Sequence, residues 1–329
     1  MKPTQSDLHV NRPLTNISVL TVQDEKEFVA GKVLKNIPVE KQSDKYFVYN
    51  DGDFNRNTMA LRSDGAPVAD DGWALSTDEF YCDVFALGHP VTDLRRANTD
   101  EPLDEDADAA KFLTHKALLK READFVSTFF TTGVWTGGAD TVSCGLSGND
   151  VTVNTAWDNA SGVPIKCIKE QIAANKALTG FRANTLVLPE EVWNALQESA
   201  DFLARITGGS TSQNPAVLMP QMLASILSID NVYIAGAIQN TAKEGQTATN
   251  AFFFADAALL CYVPPSPGIR TPACGYTYSW KRYGTGAYGG RIKKYRDERI
   301  AGDRIEIEDA YDMKVVNAKM GVFFTNVMT

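Results

Sequence analysis

Gly284, Gly286 and Gly289 satisfy the GxGxxG spacing with which a backbone approaches a dinucleotide pyrophosphate. That chemistry needs an apolar strand before the glycines and a sheet-packing helix after them. Here Tyr276, Tyr278, Trp280, Lys281 and Arg282 lead in, and Arg291, Lys293, Lys294 and Arg296 lead out. Residues 283–290 therefore read as a flexible aromatic–glycine loop. His9, His89 and His115 are scattered, and none has a second histidine at a metal-ligand spacing, so each is expected to be solvated or capping. Cys82, Cys144, Cys167, Cys261 and Cys274 are odd in number, with the closest pair 13 residues apart. Neither a zinc knuckle nor a redox CxxC fits, which leaves buried thiols in a reducing compartment. Asp100, Glu101, Asp104, Glu105, Asp106 and Asp108 lack the alternation and central glycine of a calcium loop, and read as a solvated helix start. The chain holds no GxSxG, P-loop or HExxH motif. No catalytic residue, cofactor or metal is expected.

The elements that would position these residues are set by hydrophobic spacing. A chain of 329 residues exceeds what one core usually organises, and 44% apolar with 22% charged residues excludes a disordered, collagenous or coiled-coil protein. No membrane span is expected: residues 215–229 are short and hold Pro215 and Pro220, and residues 251–263 are interrupted by Asp256. The opening residues lack the apolar stretch of a cleaved signal peptide. The first 45 residues read as an extended arm. Tyr46, Phe47, Val48 and Tyr49 form a strand, and a second β-rich run at 80–87 answers it across about 30 turn-rich residues. That pattern predicts a long two-stranded excursion, and an unstructured span of such length in a compact chain argues for a function.

Residues 109–130 contain no Gly or Pro and predict a helix roughly 33 Å long. Phe112, Leu119, Ala123, Val126 and Phe130 are expected to line its buried face, with Leu118, Phe125 and Phe129 beside them. Beyond the glycine-rich residues 133–162, helices and strands alternate from about 165 to 265 and predict a compact α/β lobe. Pro164 opens one helix there, Pro189 precedes another through Leu203, and residues 218–229 give a third. The tail from 276 onward reads as β, with Arg304, Ile305, Glu306, Ile307 and Glu308 alternating cleanly.

Charge is unevenly spread. Residues 51–108 hold 15 acids against four arginines, a net of −11, and residues 280–304 hold eight bases against three acids, a net of +5. Two solvated faces would explain this. The sharper reading is that the acidic excursion of one subunit lies on the basic loop of its neighbour. The residues expected at such a contact are Arg56, Arg62, Asp70, Asp71, Lys281, Arg282, Arg291, Lys293, Lys294 and Arg296. The overall charge of −9 excludes coating of nucleic acid by bulk charge.

This order of parts resembles the major capsid protein of tailed bacteriophages, the Hong Kong 97-like fold. Leu14, Thr15, Asn16, Ile17, Ser18 and Val19 resemble the family's N-terminal arm. Residues 46–81 resemble its E-loop, with Phe54, Asn55, Arg56 and then Leu61, Arg62, Ser63, Asp64, Gly65 near the tip. Leu94, Arg95, Arg96, Ala97 and Asn98 lead into a spine helix at about 107–131, and residues 303–324 resemble the closing strands. The resemblance implies an α+β protein with an arm at 1–40, an E-loop and its base at 41–88, and a P-domain at 89–164. It further implies an A-domain at 165–267 and return strands at 268–329, the last of which joins the A-domain. It implies hexamers and pentamers of this chain in an icosahedral shell, built in the host cytoplasm and forming the virion. The implied partners are a portal, a scaffolding protein, a decoration protein, and packaged double-stranded DNA bound without sequence specificity. No lysine lies between Lys45 and Lys111, so covalent cross-linking through the loop tip is not expected, and the short arm implies a separate scaffold or none. Two alternatives stand beside this reading: an encapsulin-type compartment, and an α/β enzyme binding a small molecule in the lobe at 165–265.

Overall fold

The computed structural model describes residues 23–49, 51–65, 67–99, 104–207, 219–254, 256–268, 271–283 and 290–329. The arm residues Leu14 to Val19, His9, Asp100, Glu101 and the three glycines of the GxGxxG spacing lie outside the described residues. A short helix α1 (Ala30–Val33) runs into β1 (Lys35–Val39) and β2 (Ser43–Tyr49). After α2 (Asp51–Phe54) the chain returns through β3 (Leu75–Tyr81) and continues as β4 (Asp83–Thr92), α3 (Asp93–Asn98) and the long α4 (Glu105–Phe129). The hairpin β5 (Cys144–Ser147) and β6 (Asp150–Val153) leads to α5 (Pro164–Thr179), β7 (Thr185–Pro189), α6 (Glu190–Glu198) and α7 (Ala200–Thr207). Then come α8 (Pro220–Leu227), β8 (Asn231–Ala235), a small hairpin of β9 (Ile238–Asn240) and β10 (Asn250–Phe252), and β11 (Ala257–Cys261). The chain closes with β12 (Gly275–Trp280), β13 (Arg291–Asp297), β14 (Gly302–Val315) and β15 (Gly321–Thr325).

β14 organises a five-stranded sheet. One edge pairs antiparallel with β4, and the other pairs with β13 along its first half and β12 along its second. β1 adds parallel to β12, so one segment of the expected arm is a sheet strand. The second sheet has the order β5-β6-β15-β11-β7-β8, and thus draws strands from both sides of 165–267. Its central strands are apolar at nearly every position because both faces are covered. Leu186, Leu260, Val322 and Phe324 face α5 and its neighbours, whereas Val187, Leu259, Cys261 and Phe323 face the other way. Those four share a core with Phe125 and Phe129 of α4 and Tyr311 and Met313 of β14.

α4 starts where the acids stand: the Asp104 carboxylate accepts from the Asp106 and Ala107 amides at 3.0 and 3.2 Å. Its buried face corrects the expected one. Ala109, Leu113, Leu118, Arg121, Glu122, Phe125 and Phe129 are buried, whereas Phe112 is 48% exposed. Apolar residues wrap most of this helix, so spacing alone did not select a stripe, and two charged residues sit on the covered side because each has partners there. Arg121 grips Asp309 of β14 through Nε at 2.8 Å and a second nitrogen at 3.1 Å. Glu122 accepts from the amides of Val29 and Ala30 at 3.1 Å, pinning α1 to the helix.

Three further expectations are corrected. The helix after Pro189 breaks at Ser199 into α6 and α7. His115 packs edge-on to Phe28 and His89 to Phe112, so neither is simply solvated. Cys82, Cys261 and Cys274 are buried free thiols, but the sulfurs of Cys144 and Cys167 meet between β5 and α5. Their Cα atoms are 5.9 Å apart, a spacing that suits a disulfide and that sequence separation could not reveal.

Candidate subunit interface

β2 and β3 form a two-stranded antiparallel ladder, with Tyr46 opposite Asp78 and Tyr49 opposite Leu75. An isolated hairpin is marginal in water, so its base needs a support. The support is aromatic: the Phe80 ring stacks on Tyr278 of β12 at 4.5 Å, and Tyr46 lies 5.7 Å from the same ring. The Tyr46 hydroxyl donates to Asp78 at 2.6 Å and holds that carboxyl below its usual range. The Tyr81 amide donates to Asp312 at 3.0 Å, and burial pushes the Asp312 carboxyl up.

Beyond this base the hairpin changes character. Residues 56–63 and 67–74 are neither helix nor strand. Asp53 ties them together by accepting from the Ala74 amide at 2.9 Å and pairing with Arg56 at 3.4 Å. Phe54 and Trp73 lie 6.1 Å apart, yet both rings are mostly exposed. Met59 is 95% exposed and Leu61 fully so, with Val68 largely exposed as well. Asp70 and Asp71 are exposed, and bonds from Thr58 and the Gly72 amide hold the Asp71 carboxyl low. Apolar side chains set out on a projecting limb are what a partner surface covers.

The basic residues behave differently from the limb residues. Lys294 reaches Asp106 at 2.5 Å and Asp303 at 3.4 Å, and Arg296 pairs with Asp93 at 2.7 Å. Arg96 bridges Asp106 and Asp303 at 2.8 and 3.0 Å. These pairs brace α3 and the start of α4 against β13 and β14, and Lys294 holds the Asp106 carboxyl well below its usual range. Arg291 and Lys293 share Glu308, and Lys281 pairs with Glu40. Arg282 is exposed in the short helical turn at Lys281–Tyr283. Part of the match between the acidic and basic stretches is therefore made inside one chain. Sequence separations of 188 and 203 residues hid those partners from a linear reading. Among the described residues no three His, Cys, Asp or Glu side chains converge as a metal site, and no helix is long and apolar enough to cross a membrane.

No family model and no curated protein matches the sequence. Solved structures do match over nearly the whole chain. A phage-related protein from Bordetella bronchiseptica RB50 superposes with a TM-score of 0.67 at 14% identity, covering 93% of this chain and 94% of its own. The capsid of cyanophage P-SCSP1u gives 0.59 at 8% identity, covering 99% and 98%. An encapsulin complex from Synechococcus elongatus PCC 7942 gives 0.54 at 11% identity, covering 94% and 92%.

Proposed function

We propose that this chain, which has the Hong Kong 97-like fold of tailed-phage capsid proteins, is the major shell subunit of a phage head and has no catalytic task. One observation carries the reading: a chain of this fold holds Met59 and Leu61 in full solvent on a supported hairpin, where a neighbouring copy would cover them. Arg56, Arg62, Asp70 and Asp71 on the limbs, and Arg282 on the opposite patch, are the charged residues we place at contacts between subunits. Lys281, Arg291, Lys293, Lys294 and Arg296 join them while also meeting carboxylates of their own chain. Many weak, repeated contacts suffice for a closed shell of hexamers and pentamers. The net charge of −9 suits a container that releases double-stranded DNA without sequence preference. A scaffold, a portal and a decoration protein complete the assembly, in the host cytoplasm.

Purified protein tests this directly. Size-exclusion chromatography and electron microscopy are expected to show megadalton closed particles, and a stable dimer as the only species would sink the reading. Encapsulin is the second reading, favoured by its own likeness to this fold. Particles made during infection separate the two: a phage head holds the genome and has one portal-bearing vertex, whereas an encapsulin holds enzymes and has none.

A further inference from the structure

The glycine-rich stretch ahead of α5 is fastened to that helix by side chains in strict order. Asn175 donates to the Gly137 carbonyl at 3.3 Å. Gln171 donates to the Ala139 carbonyl at 2.7 Å and accepts from the Ala139 amide at 3.0 Å. Glu170 accepts from the Ser143 amide at 3.0 Å, and the sulfur of Cys167 then meets that of Cys144 at the start of β5. Cys167, Gln171 and Asn175 are buried on one helix face, so each turn of α5 holds the next piece of backbone. The sheet holds the same stretch less firmly. Among the described residues β5 is an edge strand, and β6 meets β15 at Val151 opposite Phe324 and Thr152 opposite Thr325. Asp150 adds a bond from the Gly133 amide at 2.9 Å. Lifting this flap would uncover Val151 and Val153, which makes opening rare, and the two sulfurs beneath are reached by that motion.

The other cysteines are placed differently. Cys261 lies in β11 between β15 and β7, and its thiol is hydrogen-bonded to Cys274. Both belong to the core shared by the two sheets. The Cys82 thiol donates to the Tyr278 carbonyl at 3.5 Å under the base of the hairpin. We propose that Cys144 and Cys167 form a reversible thiol–disulfide latch. It stands open as two thiols in the reducing compartment where the subunit folds, and closes once the protein meets a small-molecule disulfide such as glutathione disulfide outside it. One cysteine thiolate attacks glutathione disulfide, whose S–S bond breaks and releases one glutathione thiol. The second cysteine thiolate then attacks the mixed disulfide and releases the other. The two cysteines lose two protons and two electrons, and two glutathione thiols carry them away. Glu170, Gln171 and Asn175 hold the sulfurs near one another in either state, so closure within the chain outruns capture of a second chain. The closed loop spans a separation of 23 residues and favours the folded state by about a hundredfold. The moment of closure rests on the shell reading; the latch itself does not.

The test uses the full chain, assembled or not, either reduced with dithiothreitol or equilibrated with glutathione disulfide, then alkylated and digested. Mass spectrometry is expected to find Cys144 linked to Cys167 after the second treatment, with Cys82, Cys261 and Cys274 still thiols. Hydrogen exchange reads the mechanical effect. Amides of 144–153 should exchange at least about tenfold more slowly in the oxidised chain, while those of the distant edge strand β13 keep one rate in both states. The double variant Cys144→Ala and Cys167→Ala should lose this dependence on redox state. If that variant fails to fold, the two states of the unmodified protein decide by themselves. A disulfide through any other cysteine, no disulfide at all, or equal exchange of 144–153 in both states would overturn the latch. None of these readouts requires particles, so a chain that stays a dimer counts against the shell reading alone.

Discussion

In α4, Leu113, Phe125 and Phe129 are fully buried, and Arg121 and Glu122 on the same face have their polar atoms matched. In the hairpin limbs, Met59 and Leu61 stand in solvent and the backbone has no ladder. Both regions are rich in apolar side chains, so composition does not separate them. The difference lies in the cover: the helix is completed by its own chain, and Met59 and Leu61 on the limbs are not. Substitutions that unfold the subunit and substitutions that only prevent assembly should therefore fall into separate regions.

The largest effect on the subunit itself is expected at the helix. Phe125→Ala empties a site shared by α4, both sheets and Phe254, and should cost about 3–5 kcal/mol in denaturant unfolding of the dissociated subunit. A loss under about 1 kcal/mol would mean that this helix is not the centre of the core.

Glu122 gives a pH signature of nearly that size. Burial pushes its carboxyl from 4.5 up to about 7, against the pull of the Ala30 and Val29 amides and of Lys32. A raised carboxyl binds its proton more tightly in the folded state. Its contribution is thus fully present below pH 4.5 and is lost as pH rises through about 7, a change on the order of 3 kcal/mol. Unfolding curves between pH 4.5 and 8 should show this decline, and Glu122→Gln should flatten it.

Met59→Ser with Leu61→Ser should leave subunit stability within about 0.5 kcal/mol of the parent, since neither side chain is covered. Particle yield should nevertheless collapse. The pair Arg56→Glu and Arg62→Glu should behave likewise, folded but impaired in assembly. Full yield from either double variant would break the contrast between the two regions. The smallest effect is expected at Lys294→Ala, whose ion pairs are open to solvent. It should lower the unfolding midpoint slightly at low salt and not at all near 1 M, where screening removes the difference.

Much of this architecture was legible before any coordinates. The acids at 104–108 marked the start of α4, Pro164 opened α5, and the alternation about Ile305 and Ile307 announced β14. The strand at 46–49 and the turn-rich span marked the hairpin, but its second strand is β3 (Leu75–Tyr81), and most of the run expected at 80–87 to answer it is β4, paired instead with β14. What remained hidden depends on the third dimension. The covered side of α4 is chosen by Asp309 and by the Val29 and Ala30 amides, which are distant in sequence from Arg121 and Glu122. β5 and β6 lie in glycine-rich sequence whose strand signal is weak, and they form because β15 offers them an edge. The charged residues were identifiable by type, but the own-chain carboxylates that Lys281, Arg291, Lys293, Lys294 and Arg296 meet were not.

β14 leaves the first sheet at Val315, and β15 enters the second at Gly321. So short a splice, set in a core common to both sheets, gives the body little compliance. A pull on the hairpin passes through the Phe80–Tyr278 stack into β12, then along β14 to the far sheet, as through a single girder. In a closed surface, the bending required at sites of differing curvature would then be taken up by the loose extremities, while the girder keeps its shape.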